Sequence, residues 1–109
     1  MKNNPNYQIN MVKGDTLSFG LEFEGFGQNL DSAYFSVKNN ATDEDYLIQK
    51  SLGHGITKSE DYKYIVRLAP EDTADLEPQE YPFDLQISAN GDVFTIMLGV
   101  LVLSQDVTN

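Results

Sequence analysis

The residue types that could carry chemistry are few and poorly placed for it. The one imidazole, His54, stands between Gly53 and Gly55 in a turn. A catalytic triad needs a base within reach of its nucleophile and a third group orienting that base, and a lone turn histidine offers neither. Glu22 and Glu24 share one face of an alternating stretch, about 7 Å apart by strand rise. That separation lies inside the roughly 5–9 Å window of paired-carboxylate glycoside hydrolysis. The face is the watery one, however, and nothing nearby in sequence sets one carboxyl apart as a proton donor.

Asp43-Glu44-Asp45 and Glu71-Asp72 with Asp75 are the acidic clusters that a hard cation would seek. Neither has the spacing of a calcium loop, and consecutive carboxylates on extended backbone point to opposite faces. Gly25-Phe26-Gly27 lacks the third glycine and the following helix of a nucleotide loop. The sequence has no cysteine, which removes disulfides, thiolate metal sites and cysteine nucleophiles together. The expectation is a protein with no catalytic residue, no metal and no cofactor.

What remains is a set of elements that position side chains for contact. Leu17, Phe19, Leu21 and Phe23 alternate with Thr16, Ser18, Gly20, Glu22 and Glu24, so one face meets a core and the other water. Ala33, Phe35 and Val37 make a second inner face, which leaves Tyr34 outside. Tyr46 to Lys50 reads as a short edge strand, and Gly53-His54-Gly55 as a turn. Tyr62, Tyr64, Val66 and Leu68 alternate next, followed by Tyr81, Phe83, Leu85 and Ile87. Between these two runs, Pro70 opens one short helical turn near residues 70–76, with Glu71 and Asp72 at its positive end. Asn90-Gly91 supplies the positive φ angles of a tight hairpin. With Tyr7–Val12 first and Val93–Leu103 last, the chain reads as seven to eight short strands. That is the signature of an all-β, immunoglobulin-like antiparallel β-sandwich.

With 109 residues, 40% hydrophobic and 22% charged, residues 1–109 make one globular domain. Residues 1–6 read as a flexible N-terminal arm without the apolar stretch of a signal peptide. The net charge of −10 would repel phosphate backbones and anionic membrane surfaces, so neither nucleic acid nor membrane is expected as a partner. Asn40-Ala41-Thr42 matches a glycosylation sequon that matters only in a eukaryotic secretory setting.

Two positions stand out inside this frame. Tyr81 enters its strand just after the helical turn, the place of a tyrosine corner, and its hydroxyl is expected on backbone around Asp75 to Glu77. The last strand is apolar on both faces. Phe94, Ile96, Leu98, Val100 and Val102 form one, and Val93, Met97, Leu101 and Leu103 the other. Either a bulge or bend at Gly99 shifts the parity and buries both halves, or Val93, Met97, Leu101 and Leu103 form a subunit interface.

Three stretches together resemble small structural proteins of tailed bacteriophages and prophages, including the immunoglobulin-like module that opens siphophage baseplate upper proteins. They are Val12-Lys13-Gly14-Asp15-Thr16-Leu17; Leu68 to Pro78 leading into Tyr81-Pro82-Phe83-Asp84-Leu85-Gln86-Ile87; and Gly91-Asp92-Val93-Phe94-Thr95-Ile96 with Gly99 and Asp106-Val107-Thr108. The resemblance implies a non-enzymatic virion component of baseplate, neck or head surface. It would be made in the bacterial host cytoplasm and act through contacts with other virion proteins and with itself. Baseplate proteins continue into further domains, whereas this sequence ends at Asn109. The alternative function is a carbohydrate-binding β-sandwich module, for which the outward Tyr34 is the candidate glycan contact.

Overall fold

Period-two alternation becomes strand wherever both faces have a partner or water to meet. The computed structural model describes residues 7–27 and 29–105, so the expected arm at 1–6 lies outside the described residues. Eight strands form: β1 (Tyr7–Val12), β2 (Leu17–Glu22), β3 (Ser32–Val37), β4 (Ile48–Leu52), β5 (Gly55–Glu60), β6 (Lys63–Leu68), β7 (Glu80–Ala89) and β8 (Asp92–Ser104). One short helix, α1 (Pro70–Thr73), sits between β6 and β7. The fold is therefore all-β with a single helical turn, as the alternation predicts.

Hydrogen bonding links the strands in the order β1-β8-β7-β3-β4-β5-β6-β2. Between β4 and β5 the ladder narrows to two residue pairs, Ser51–Gly55 and Leu52–Ile56. There the ribbon turns over into two layers, the larger β1-β8-β7-β3-β4 and the smaller β5-β6-β2. β1 runs parallel to β8 at the outer edge, while β7 is antiparallel to both β8 and β3. β4 was expected at an edge but is flanked on both sides. β5 was not expected as a separate strand. Only Ile56 of its residues is buried, so its own sequence carries little alternation and pairing with β6 defines it.

Where immunoglobulin domains place a disulfide against a tryptophan between their layers, this chain places three phenylalanines. Phe35 of β3 is fully buried. It meets Phe19 of β2 edge-on at 5.6 Å and Phe83 of β7 at 5.2 Å. Phe83 lies two residues after Tyr81, the spacing at which the second cysteine follows a tyrosine corner. Aromatic pairs of this geometry contribute about 0.5–1.5 kcal/mol beyond the area they bury. The stack thus ties the layers together without a covalent link.

The corner itself forms as expected. Tyr81 is buried, and its hydroxyl donates to the Glu77 carbonyl at 2.5 Å. Burial pushes that hydroxyl above its ordinary pKa, so it stays a donor. The turn at α1 is anchored from both sides. Asp72 accepts from the Ala69 N–H at 2.7 Å and pairs with Lys50 of β4 at 2.8 Å. The buried Thr73 hydroxyl accepts from the Gly14 N–H at 2.9 Å. Asn90 and Gly91, with φ of 56° and 85°, close the β7–β8 hairpin in the mirror-image turn that matches strand twist.

Candidate functional site

The larger sheet turns one face to the core and the other to solvent, and the pairing register fixes which side chains share that outer face. On β8 the register slips by one residue: Leu85 pairs with Met97 but Gln86 with Thr95, so Ile96 is a β-bulge. A bulge reverses the in–out parity of everything beyond it. Phe94 faces inward opposite Ile87 and packs on Phe26 at 5.1 Å. After the bulge, Met97, Leu101 and Leu103 face inward, and Leu98, Val100 and Val102 face out.

This corrects the expected interface of Val93, Met97, Leu101 and Leu103. Leu101 is 0% exposed inside the sandwich, and Leu103 is buried beside it. Met97 is half-buried against the core. Of the four, only Val93 lies open, at 64% exposure. The parity shift was correctly expected, but it falls at Ile96 and not at Gly99. Gly99 has another task. A Cβ there would collide with the backbone of Tyr7 on β1, so glycine is what allows the parallel edge strand to lie against β8.

Cross-strand neighbours on the outer face form a grid. Ser36 of β3 stands opposite Gln49 of β4 on one side and Asp84 of β7 on the other, and Leu98 of β8 continues the row. In the next row Tyr34 stands between Ser51 and Gln86. Ser36 is short and its neighbours are tall, so it forms the floor of a hollow. One lobe of about 480 Å³ is lined by Tyr34, Ser36, Lys38, Tyr46, Gln49, Asp84 and Gln86. A second of about 300 Å³ continues from Ser36, Lys38 and Asp84 to the apolar Pro82, Leu98 and Val100.

Asp84 is the electrostatic centre of this cleft. Partial burial raises its carboxyl pKa above the usual 3.8, and the positive charge of Lys38 partly offsets that rise. The Lys38 ammonium donates to the Asp43 carbonyl at 2.7 Å, and Gln49 donates to the Ser36 hydroxyl at 3.2 Å. Among the described residues Asp84 has no hydrogen-bond donor of its own.

The other expected residues scatter. Tyr34 is 40% exposed on the rim of the cleft, where its parity placed it. His54 is exposed in the β4–β5 turn, its backbone exchanging hydrogen bonds with Ser51. Glu22 ends β2 on the smaller sheet, and Glu24 follows in a turn. No group of three His, Cys, Asp or Glu side chains converges among the described residues. Sequence reading missed Asp84, Gln86, Gln49 and Lys38 as one constellation. The signal was present in the alternation of β3 and β7, since outward Tyr34 and Ser36 lie opposite outward Gln86 and Asp84 once Phe35 is paired with Leu85.

No protein-family model matches the sequence, and no curated protein matches it. Solved structures do match in shape. The NK cell receptor Nkp44 superposes with a TM-score of 0.57 at 14% identity, over 93% of this chain and all of that one. The extracellular portion of mouse CD200RLa follows at a TM-score of 0.46 and 12% identity, over 93% of this chain and 56% of that one. With the strand order and the tyrosine corner, the first likeness defines the fold as an immunoglobulin-like β-sandwich.

Proposed function

We propose that this protein is a non-enzymatic assembly domain that binds other proteins, copies of itself included, through the β8 side of its outer face. The observation that carries this is the apolar strip left after the bulge. Leu98 is 45% exposed, with Val100 and Val102 half-buried beside it, and before the bulge Val93 opens onto the same face at 64% exposure. An antiparallel sheet face that meets only water is normally polar, and contiguous apolar surface marks a contact site. Full burial of such side chains contributes on the order of 1.5–3 kcal/mol each.

The sequence resemblance to tailed-phage structural proteins supports a virion component, made in the bacterial host cytoplasm, as the larger setting. The net charge of −10 favours protein partners over nucleic acid or anionic membrane. Light scattering coupled to size exclusion tests the self-contact. A stable multimer that returns to monomer on Leu98→Glu with Val100→Glu supports the reading. A strict monomer at every concentration removes the self-contact from it.

A further inference from the structure

The polar lobe of the outer face is built differently from the apolar strip, and its chemistry points to another kind of ligand. Its floor is Ser36, its walls include Tyr34 and Tyr46, and its volume of about 480 Å³ lies within the roughly 300–1,000 Å³ typical of small-molecule sites. Both tyrosines are large, exposed side chains whose rings present flat apolar faces with a polar tip. Asp84, beside Ser36, is an acceptor without a hydrogen-bond donor among the described residues. The Gln86 side-chain amide makes no hydrogen bond among the described residues, and Gln49 uses its amide nitrogen on Ser36, keeping its oxygen available. Acceptors therefore outnumber committed donors around a hollow flanked by rings.

The charges select further. Lys38 and Asp84 both line the lobe, so it is close to neutral although the chain carries −10. An anionic ligand would approach against that field. A bare hard cation would want six or more oxygen ligands, and one carboxylate with two amides falls short. An extended peptide would add to a strand edge, whereas this hollow lies on the face of the sheet, over its middle strands. A ligand with several hydroxyl donors and an apolar ring face satisfies each of these conditions.

We propose that the lobe bounded by Tyr34, Tyr46, Gln49, Asp84 and Gln86 is a binding site for a neutral carbohydrate. Sugar hydroxyls donate to the Asp84 carboxylate and the two amide oxygens, and the C–H face of the pyranose lies on a tyrosine ring. The site adjoins the apolar strip of β8, since Asp84 stands beside Leu98, but its ligand is recognised by different side chains and its test does not depend on self-association.

Isotope-labelled protein titrated with maltose, cellobiose, lactose and diacetylchitobiose, with sialyllactose as the anionic comparison, tests this by amide chemical shifts. Since the chain has six tyrosines and no tryptophan, tyrosine emission gives a second readout. The expected result is a shift cluster at Tyr34, Ser36, Gln49, Asp84 and Gln86 with at least one neutral sugar, at the millimolar affinity of a shallow site. Tyr34→Ala and Asp84→Asn should each weaken binding about tenfold or more, an effect of about 1.4 kcal/mol, while Tyr34→Phe retains it. Arg67→Ala, on the smaller sheet, should leave it unchanged, and thermal melts of all four variants confirm that they are folded. No shifts with any neutral sugar, shifts with sialyllactose alone, or undiminished binding by Tyr34→Ala would each overturn the proposal.

Discussion

β6 and β8 are both antiparallel partners in the same sandwich, yet they treat their side chains in opposite ways. β6 alternates without a break: Tyr64, Val66 and Leu68 are buried, and Lys63, Ile65 and Arg67 are exposed. β8 is twice as long, is interrupted by the bulge at Ile96, and keeps apolar residues on both faces. In β6 the outward residues serve solubility, with Ile65 as a single exception. In β8 the outward Val93, Leu98, Val100 and Val102 lie outside the buried core of the described residues. A strand whose apolar residues exceed what its core can bury is the feature on which the proposed contact rests.

The sharpest way to break this comparison is to charge the two sides of β8 in turn. Leu101→Asp places an unpaired carboxylate in the core and should cost more than about 4 kcal/mol, enough to unfold a marginal domain. Leu98→Lys, which sets an ammonium opposite Asp84 on the outer face, should leave the melting temperature nearly unchanged. Equal losses in the two variants would show that the parity after Ile96 is wrong.

A smaller effect separates two strand glycines. Gly99→Ala should cost about 1–3 kcal/mol by overpacking and speed hydrogen exchange of the β1 amides. Gly20→Ala on β2 meets only Tyr64 backbone oxygen at 3.9 Å and should be neutral or stabilising by up to about 1 kcal/mol. Denaturant midpoints distinguish them.

Tyr81→Phe removes the corner hydrogen bond and keeps the ring, so chemical denaturation should show a loss of about 1 kcal/mol.

The smallest effect concerns Asp84, whose folded pKa is raised above 3.8 by burial. The folded state then holds the proton more tightly than the unfolded chain, so this group's contribution to stability falls as pH rises from 3.8 through the folded pKa. Asp84→Asn should match the parent below pH 3.8 and be the more stable protein at neutral pH. The difference between the two melting curves across pH isolates this group, because the other carboxylates are common to both.

Much of this was legible in the residues because alternation reports burial directly. β2, β3, β6 and β7 each show an inner set, Phe19, Phe35, Val66 and Leu85 among them, whose side chains demand a common core. The tyrosine corner could be read from Tyr81 and the turn before it because both partners lie within five residues. β5 could not, since Thr57, Lys58, Ser59 and Glu60 give no inner face and the strand exists through its partner. The bulge was invisible in place, because Ile96 is as apolar as its neighbours and only the register with β7 makes it the extra residue. The cleft was half legible. Tyr34 was placed outside by parity, but its neighbours Asp84 and Gln86 are about fifty residues away. Their meeting depends on how β3 and β7 align, which no local pattern encodes.

The Phe19–Phe35–Phe83 stack has a consequence for how the domain matures. Sandwiches pinned by a cross-layer disulfide need an oxidant and a correct pairing before they reach full stability. Here the pin is contact between rings, so it forms as the layers meet and is indifferent to glutathione, to reductant and to thiol-modifying reagents. Folding and unfolding curves recorded with and without dithiothreitol should superimpose. The chain reaches its folded state with no redox step between synthesis and use.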